Sequence, residues 1–125
     1  MKDFFSGIDH PAVAVKDVDA SAEWYCKVLG YEKQFRDDKP VWILKAPDGS
    51  LIEIMPVDQT PRPDRTTWTP GWSHVALRVK DIAQAIEALD QHQVKWQGEM
   101  VEAIGGGKVR SFSDPDGNML QVVQR

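Results

Sequence analysis

Apolar residues along this chain follow two periods that alternate. In residues 7–18, GIDHPAVAVKDV, Val13 and Val15 fall on one side of an extended backbone and His10, Ala12 and Ala14 on the other. After Lys16 and Asp17 the period lengthens, so that Ala20, Trp24, Val28 and Leu29 share one helical face. Residues 71–82, GWSHVALRVKDI, make the same change: Val75, Leu77 and Val79 oppose Trp72, His74, Ala76 and Arg78. Ile82, Ala85, Ile86 and Leu89 then line one face of a second helix. Asp17 or Asp19 starts the first helix, Gly30 ends it, and Asp81 followed by Gln84 starts the second as a capping box does. Further strands are expected over 31–37, 40–46 and 51–57, and over 94–102, 107–113 and 118–124. Asp-Gly at 48–49 and 116–117 marks a hairpin between the last two strands of each set.

The two sets are copies. At an offset of 64, Gly7 falls on Gly71, His10 on His74, Ala12 on Ala76, Val15 on Val79, and Lys16 and Asp17 on Lys80 and Asp81. At an offset of 68, PDGSLIEI (47–54) falls on PDGNMLQV (115–122). Each copy reads βαβββ, over 7–57 and 71–125, and residues 58–70, DQTPRPDRTTWTP, form a proline-rich linker between them. Neither copy can bury its sheet alone, so a single α+β domain of two βαβββ modules over 1–125 is expected.

Strand parity sorts the residues that carry chemistry. Ile52 and Ile54 oppose Leu51, Glu53 and Met55, while Leu120 and Val122 oppose Met119, Gln121 and Val123. One face is therefore branched and aliphatic, suited to packing on the helices. The other carries one polar group per strand: His10, Glu53, His74 and Gln121. Two neutral imidazoles, a carboxylate and an amide oxygen make a donor set for a divalent metal. Singly, each residue has a plainer explanation, a hydrogen-bonded histidine or an edge-strand gatekeeper carboxylate. Type, parity and repeat position coincide in all four, and that coincidence carries the metal reading.

Other residues divide between structural and functional readings. Arg78, on the side of His74, can hold a substrate carboxylate or phosphate, or be a solvated strand-end arginine. Trp42, Trp68 and Trp72 fit an apolar substrate pocket, whereas Trp24 and Trp96 fit the core. Cys26 reads as a core residue, His92 as the end of the second helix, and Arg62, Asp64 and Arg65 as solvated linker charges. Gly105, Gly106 and Gly107 form either a mobile lid or a hairpin loop, without the strand–GxGxxG–helix context of a dinucleotide site.

Composition narrows the partners. Among 125 residues, 15 basic and 19 acidic side chains are mixed without blocks, for a net charge of −4, which argues against a nucleic-acid partner. No run approaches the ~20 apolar residues of a membrane span. MKDFFSG has no apolar leader core, and a lone cysteine suits the reducing cytoplasm.

His10 with the stretch AVAVKDVDASAEWYCKVLGYE resembles the opening module of the vicinal oxygen chelate superfamily, and WSHVALRVKDI and DPDGNMLQVV resemble its second. That superfamily includes glyoxalase I, fosfomycin and bleomycin resistance proteins, methylmalonyl-CoA epimerase and extradiol dioxygenases. The resemblance implies a mixed-sheet cup around a divalent metal (Ni, Zn, Mn, Co or Fe) held at His10, Glu53, His74 and Gln121. It also implies a small-molecule substrate and a homodimer. The family's usual DPDGNxxE ends here in Gln121, which cannot accept a proton usefully. Glu53, its repeat-mate, is then the candidate catalytic base of a lyase or isomerase. Two alternatives stay open: a metal-free binding or drug-resistance module, and an Fe(II) ring-cleaving dioxygenase built on His10, His74 and Glu53. IMPVDQTPRPD differs from the glutathione-contacting segment of lactoylglutathione lyases, and Pro-Ala after His10 differs from the Leu-Thr of fosfomycin enzymes.

Overall fold

A computed structural model describes residues 4–125; the first three residues of the expected domain, which open the stretch read for a leader, lie outside the described residues. The chain divides into two units, Met1–Thr60 and Pro61–Arg125, and the division falls inside the expected linker.

The first unit contains β1 (Ala12–Val15), α1 (Val18–Leu29), β2 (Glu32–Asp37), β3 (Val41–Lys45) and β4 (Leu51–Pro56). Its sheet has the order β1-β4-β3-β2, with β1 parallel to β4 and the other pairs antiparallel. Asp17 caps α1, its side chain accepting from the Ala20 N–H, and Gly30 ends it at φ +79°, where a side chain would be strained. Val18, Ala22 and Tyr25 of the helix are buried with Val15, Leu44, Ile52 and Ile54 of the sheet. Each large side chain so buried contributes on the order of 1.5–3 kcal/mol.

The second unit repeats the plan with β5 (Val75–Arg78), α2 (Ile82–Gln91), β6 (Lys95–Trp96), β7 (Val101–Glu102), β8 (Lys108–Ser113) and β9 (Met119–Gln124). The order is β5-β9-β8-β6, β7 also pairs with β8, and β5 runs parallel to β9. Asp81 caps α2 by accepting from the Gln84 N–H. Ile82, Leu89, Phe112, Leu120 and Val122 form the buried core. The α+β architecture of two βαβββ modules is thus present, and among the described residues no helix is long and apolar enough to cross a membrane.

Three expectations need correction. The strand read over 94–102 is two short strands, because Gly98 takes φ +93° between them and its carbonyl accepts from Arg110 Nε at 3.1 Å. Both first strands begin later than the alternation suggests. Gly7 and Gly71 take positive φ and break the extended run, so His10 and His74 precede their strands. The linker arginines are anchored: Arg62 Nη2 donates to the Gly117 carbonyl (3.1 Å) and Asn118 Oδ1 (3.0 Å), and Arg65 Nη2 to the Trp72 carbonyl (2.8 Å). The segment from Pro61 onward is therefore fastened to the Asp-Gly turn of its own unit.

The triple glycine is the tight turn between β7 and β8, closed by Gly106 N–H to the Ala103 carbonyl (3.0 Å) and by Ala103 N–H to the Gly107 carbonyl (3.0 Å). Arg125 Nη1 donates to the Ile104 and Gly106 carbonyls at 2.6 and 2.8 Å. A Cβ on Gly107 would lie 1.9 Å from the Gln124 carbonyl oxygen, whereas one on Gly106 would meet nothing. Both take positive φ, costing about 1–3 kcal/mol for an L side chain. Gly107→Ala is therefore expected to destabilise the protein by at least ~1 kcal/mol more than Gly106→Ala, measured by urea unfolding. Equal losses would remove the steric argument.

Candidate metal centre

In the first unit Ala12 pairs with Glu53, and the Glu53 N–H donates to the Pro11 carbonyl at 2.9 Å. Extended pairing thus continues one residue beyond β1 and brings His10 against the Glu53 side chain. His10 Nε2 and Glu53 Oε2 lie 2.8 Å apart, both side chains partly exposed. On the other side of the ring, His10 Nδ1 lies 2.7 Å from Asp9 Oδ2. The hydrogen bond to Asp9, reinforced by the Glu53 carboxylate, outweighs desolvation and raises the His10 pKa above the ordinary 6.5.

The second unit has the same register: Ala76 pairs with Gln121. His74 Nδ1 lies 2.8 Å from Ser73 Oγ, and Gln121 Nε2 donates to Ser111 Oγ at 3.1 Å. Ser111 is the partner of Gln121 on β8, as Ile43 is the partner of Glu53 on β3. Sequence reasoning passed over Asp9, Ser73 and Ser111. The signal was present, since Asp9 and Ser73 stand 64 apart, each directly before its histidine.

Each unit carries one pair of the expected donor side chains, His10 with Glu53 and His74 with Gln121. Among the described residues no group of three or more His, Cys, Asp or Glu could hold a metal ion. The chemistry of the first pair fits a divalent cation. An imidazole nitrogen and a carboxylate oxygen bound to one ion with bonds of about 2.0–2.2 Å sit about 3 Å apart when cis on an octahedral ion and about 3.4 Å apart on a tetrahedral one, so the 2.8 Å ion pair found here lies at the short end of that range.

Arg78 pairs with Val123 on the face of Ala76 and Gln121, and is exposed. Trp72 is 98% exposed. Trp42, read as a pocket residue, is placed elsewhere. It pairs with Ile54, so it stands on the α1 side of the sheet, opposite to Glu53. Its Nε1 donates to Asp19 Oδ1 at 2.8 Å, Arg36 Nε donates to the same oxygen at 3.0 Å, and Lys33 Nζ lies 5.0 Å from its ring centroid. Cys26 is half-buried, and desolvation raises its thiol pKa, as suits a packing residue.

In metal-free protein the His10 ring should titrate above 6.5, and Asp9→Ala should bring it down, as followed by its NMR shift against pH. A raised folded-state pKa means that this contact stabilises below pH 6.5 and is lost as pH rises through the folded value. A His10 titration unchanged in the variant would disprove the assignment.

Comparison with known proteins gives the family. Residues 7–122 match the model of the Glyoxalase/Bleomycin resistance protein/Dioxygenase superfamily. The chain is 28% identical to uncharacterized protein YaeR of Escherichia coli, covering 94% of this chain and 95% of that one. It is 27% identical to a probable lactoylglutathione lyase of Synechocystis, covering 92% of each. A superfamily member from Sphaerobacter thermophilus shares the fold with a TM-score of 0.79 at 21% identity, over 98% of this chain and 99% of that one. A variant of the fosfomycin resistance protein FosX from Listeria monocytogenes, complexed with Mn(II) and a dihydroxypropylphosphonic acid, aligns with a TM-score of 0.73 at 18% identity, over 95% and 90% of the two chains. By its family-model match over nearly its whole length, with two βαβββ modules in the expected order, the chain belongs to the Glyoxalase/Bleomycin resistance protein/Dioxygenase superfamily.

Proposed function

We propose that this protein is a metal-dependent enzyme of glyoxalase type, a lyase or isomerase acting on a small oxygenated substrate. His10, Glu53, His74 and Gln121 hold the divalent ion (Ni, Zn, Mn, Co or Fe), and Glu53 carries the proton. The observation that supports this most is the 2.8 Å approach of His10 Nε2 to Glu53 Oε2, in the register that His74 and Gln121 repeat. The names of the Synechocystis and Listeria proteins, one a probable lyase and the other holding Mn(II), point the same way.

A bound divalent ion polarises the oxygens of its substrate and stabilises negative charge developing on them. The remaining work falls to the chain's own side chains. Gln121 offers a neutral oxygen and no basic site, so the proton is taken up and returned by the Glu53 carboxylate. Arg78 holds a carboxylate or phosphate of the substrate by charge-assisted hydrogen bonds, and Trp72 covers an apolar part. His10 and Glu53 are the pair of the first unit, His74 and Gln121 the pair of the second, and the protein acts as a homodimer. The lone cysteine suits a cytoplasmic protein.

Elemental analysis of protein purified without a metal-chelating tag tests the site. Near-stoichiometric metal in the native protein, lost in both His10→Ala and His74→Ala, is the expected result. A native protein that stays empty after reconstitution with each of the five metals would leave a binding module as the better reading. Glu53→Gln is expected to lower turnover by about 10²-fold or more, assayed first as lactoylglutathione formation. If an active native enzyme keeps its rate in that variant, Glu53 is not the base.

A further inference from the structure

The four donors differ in how much orientation they need. A carboxylate has two equivalent oxygens, so either can face an ion. An imidazole and a primary amide do not: one ring nitrogen, or the amide nitrogen, must be turned away and must carry its proton elsewhere. In this structure the partners follow that need. His10 Nδ1 is held by Asp9 at 2.7 Å, His74 Nδ1 by Ser73 at 2.8 Å, and Gln121 Nε2 by Ser111 at 3.1 Å. Glu53, the donor that needs no orienting, faces the hydrocarbon side chain of Ile43 at the position equivalent to Ser111.

We propose that Asp9, Ser73 and Ser111 are positioning residues of the metal site, each binding the one nitrogen that must point away from the ion. His10 Nε2, which faces Glu53 Oε2 at 2.8 Å where the ion would come between them, His74 Nε2 and Gln121 Oε1 are thereby the donor atoms. Asp9, when ionised, only accepts hydrogen bonds, so with a neutral His10 ring the proton sits on Nδ1 and the lone pair on Nε2. Ser73 Oγ, which can donate as well as accept, takes the acceptor role toward His74 Nδ1–H once the lone pair of Nε2 is given to the ion. Ser111 accepts from the Gln121 amide nitrogen and turns its carbonyl oxygen toward the site, which makes Gln121 a working ligand in the place of the family's usual glutamate. This proposal rests on the metal reading above.

The test uses zinc(II), which is diamagnetic, with two readouts: affinity by competition with a chromophoric chelator, and ring tautomers by long-range ¹H–¹⁵N NMR of the zinc-loaded protein. Asp9→Ala, Ser73→Ala and Ser111→Ala should each weaken zinc binding by about 10- to 100-fold, with thermal melting unchanged. Asp9→Asn should recover most of the affinity, because its amide oxygen still accepts from Nδ1, and it serves as the probe if Asp9→Ala melts early. Both rings should show Nδ1–H with zinc on Nε2. If the three alanine variants bind zinc as the native protein does while His10→Ala does not, the positioning role is overturned and the metal site stands. Zinc on Nδ1 of either ring would overturn it equally. If the native protein binds no divalent metal at all, this proposal falls together with the reading beneath it.

Discussion

The structure depends on one constraint, the parallel pairing of the first and last strand within each module. Parallel strands cannot be joined by a tight turn, so each module needs a crossover, and α1 or α2 supplies its helical part. The helix buries one face of its sheet and fixes the aliphatic pattern there. The same pairing sets the register on the other face, Ala12 beside Glu53 and Ala76 beside Gln121. Alanine at those two places leaves the neighbouring face uncrowded, and in the first module the imidazole two residues upstream reaches the carboxylate. Topology and site geometry thus have one cause.

Shared register does not make the two halves electrostatically alike. The first places two carboxylates, Asp9 and Glu53, around one imidazole. The second surrounds its imidazole and amide with hydroxyl groups, Ser73 and Ser111. Duplication has kept the backbone frame while charge has collected in one copy. A carboxylate and an amide of similar shape occupy matching positions and differ in whether they can take a proton.

Much of this was legible in the sequence, because a repeat offset and a strand period are properties of order alone. The copies matched at 64 and 68 residues, and the alternation at Ile52–Ile54 and Leu120–Val122 placed Glu53 and Gln121 on the face away from the helices. What stayed hidden depended on local torsion or long-range partners. Positive φ at Gly98 divides a stretch whose composition still favours a strand. Trp42 was assigned by residue type, although its parity with Leu44 and Ile54 had already set it on the helix side. Arg62 looked solvated because its partners lie 55 and 56 residues away. No spacing rule connects an arginine to a turn at that distance.

The order of the strands also determines how each sheet meets other chains. Among the described residues the first strand of each module lies at the edge of its own sheet, where one row of backbone donors and acceptors has no partner strand in that sheet. Such an edge recruits strands from other molecules when it is long and flat. Here β1 and β5 are four residues each, preceded by a glycine in a left-handed or strained conformation and followed closely by Lys16-Asp17 or Lys80-Asp81. The residues that end the strand and start the helix therefore also shorten the sticky edge. A short edge strand is a poor template for fibre-like pairing, and extending β1 or β5 back toward its glycine would run through His10 or His74, so the same few positions limit the edge and carry the candidate donors.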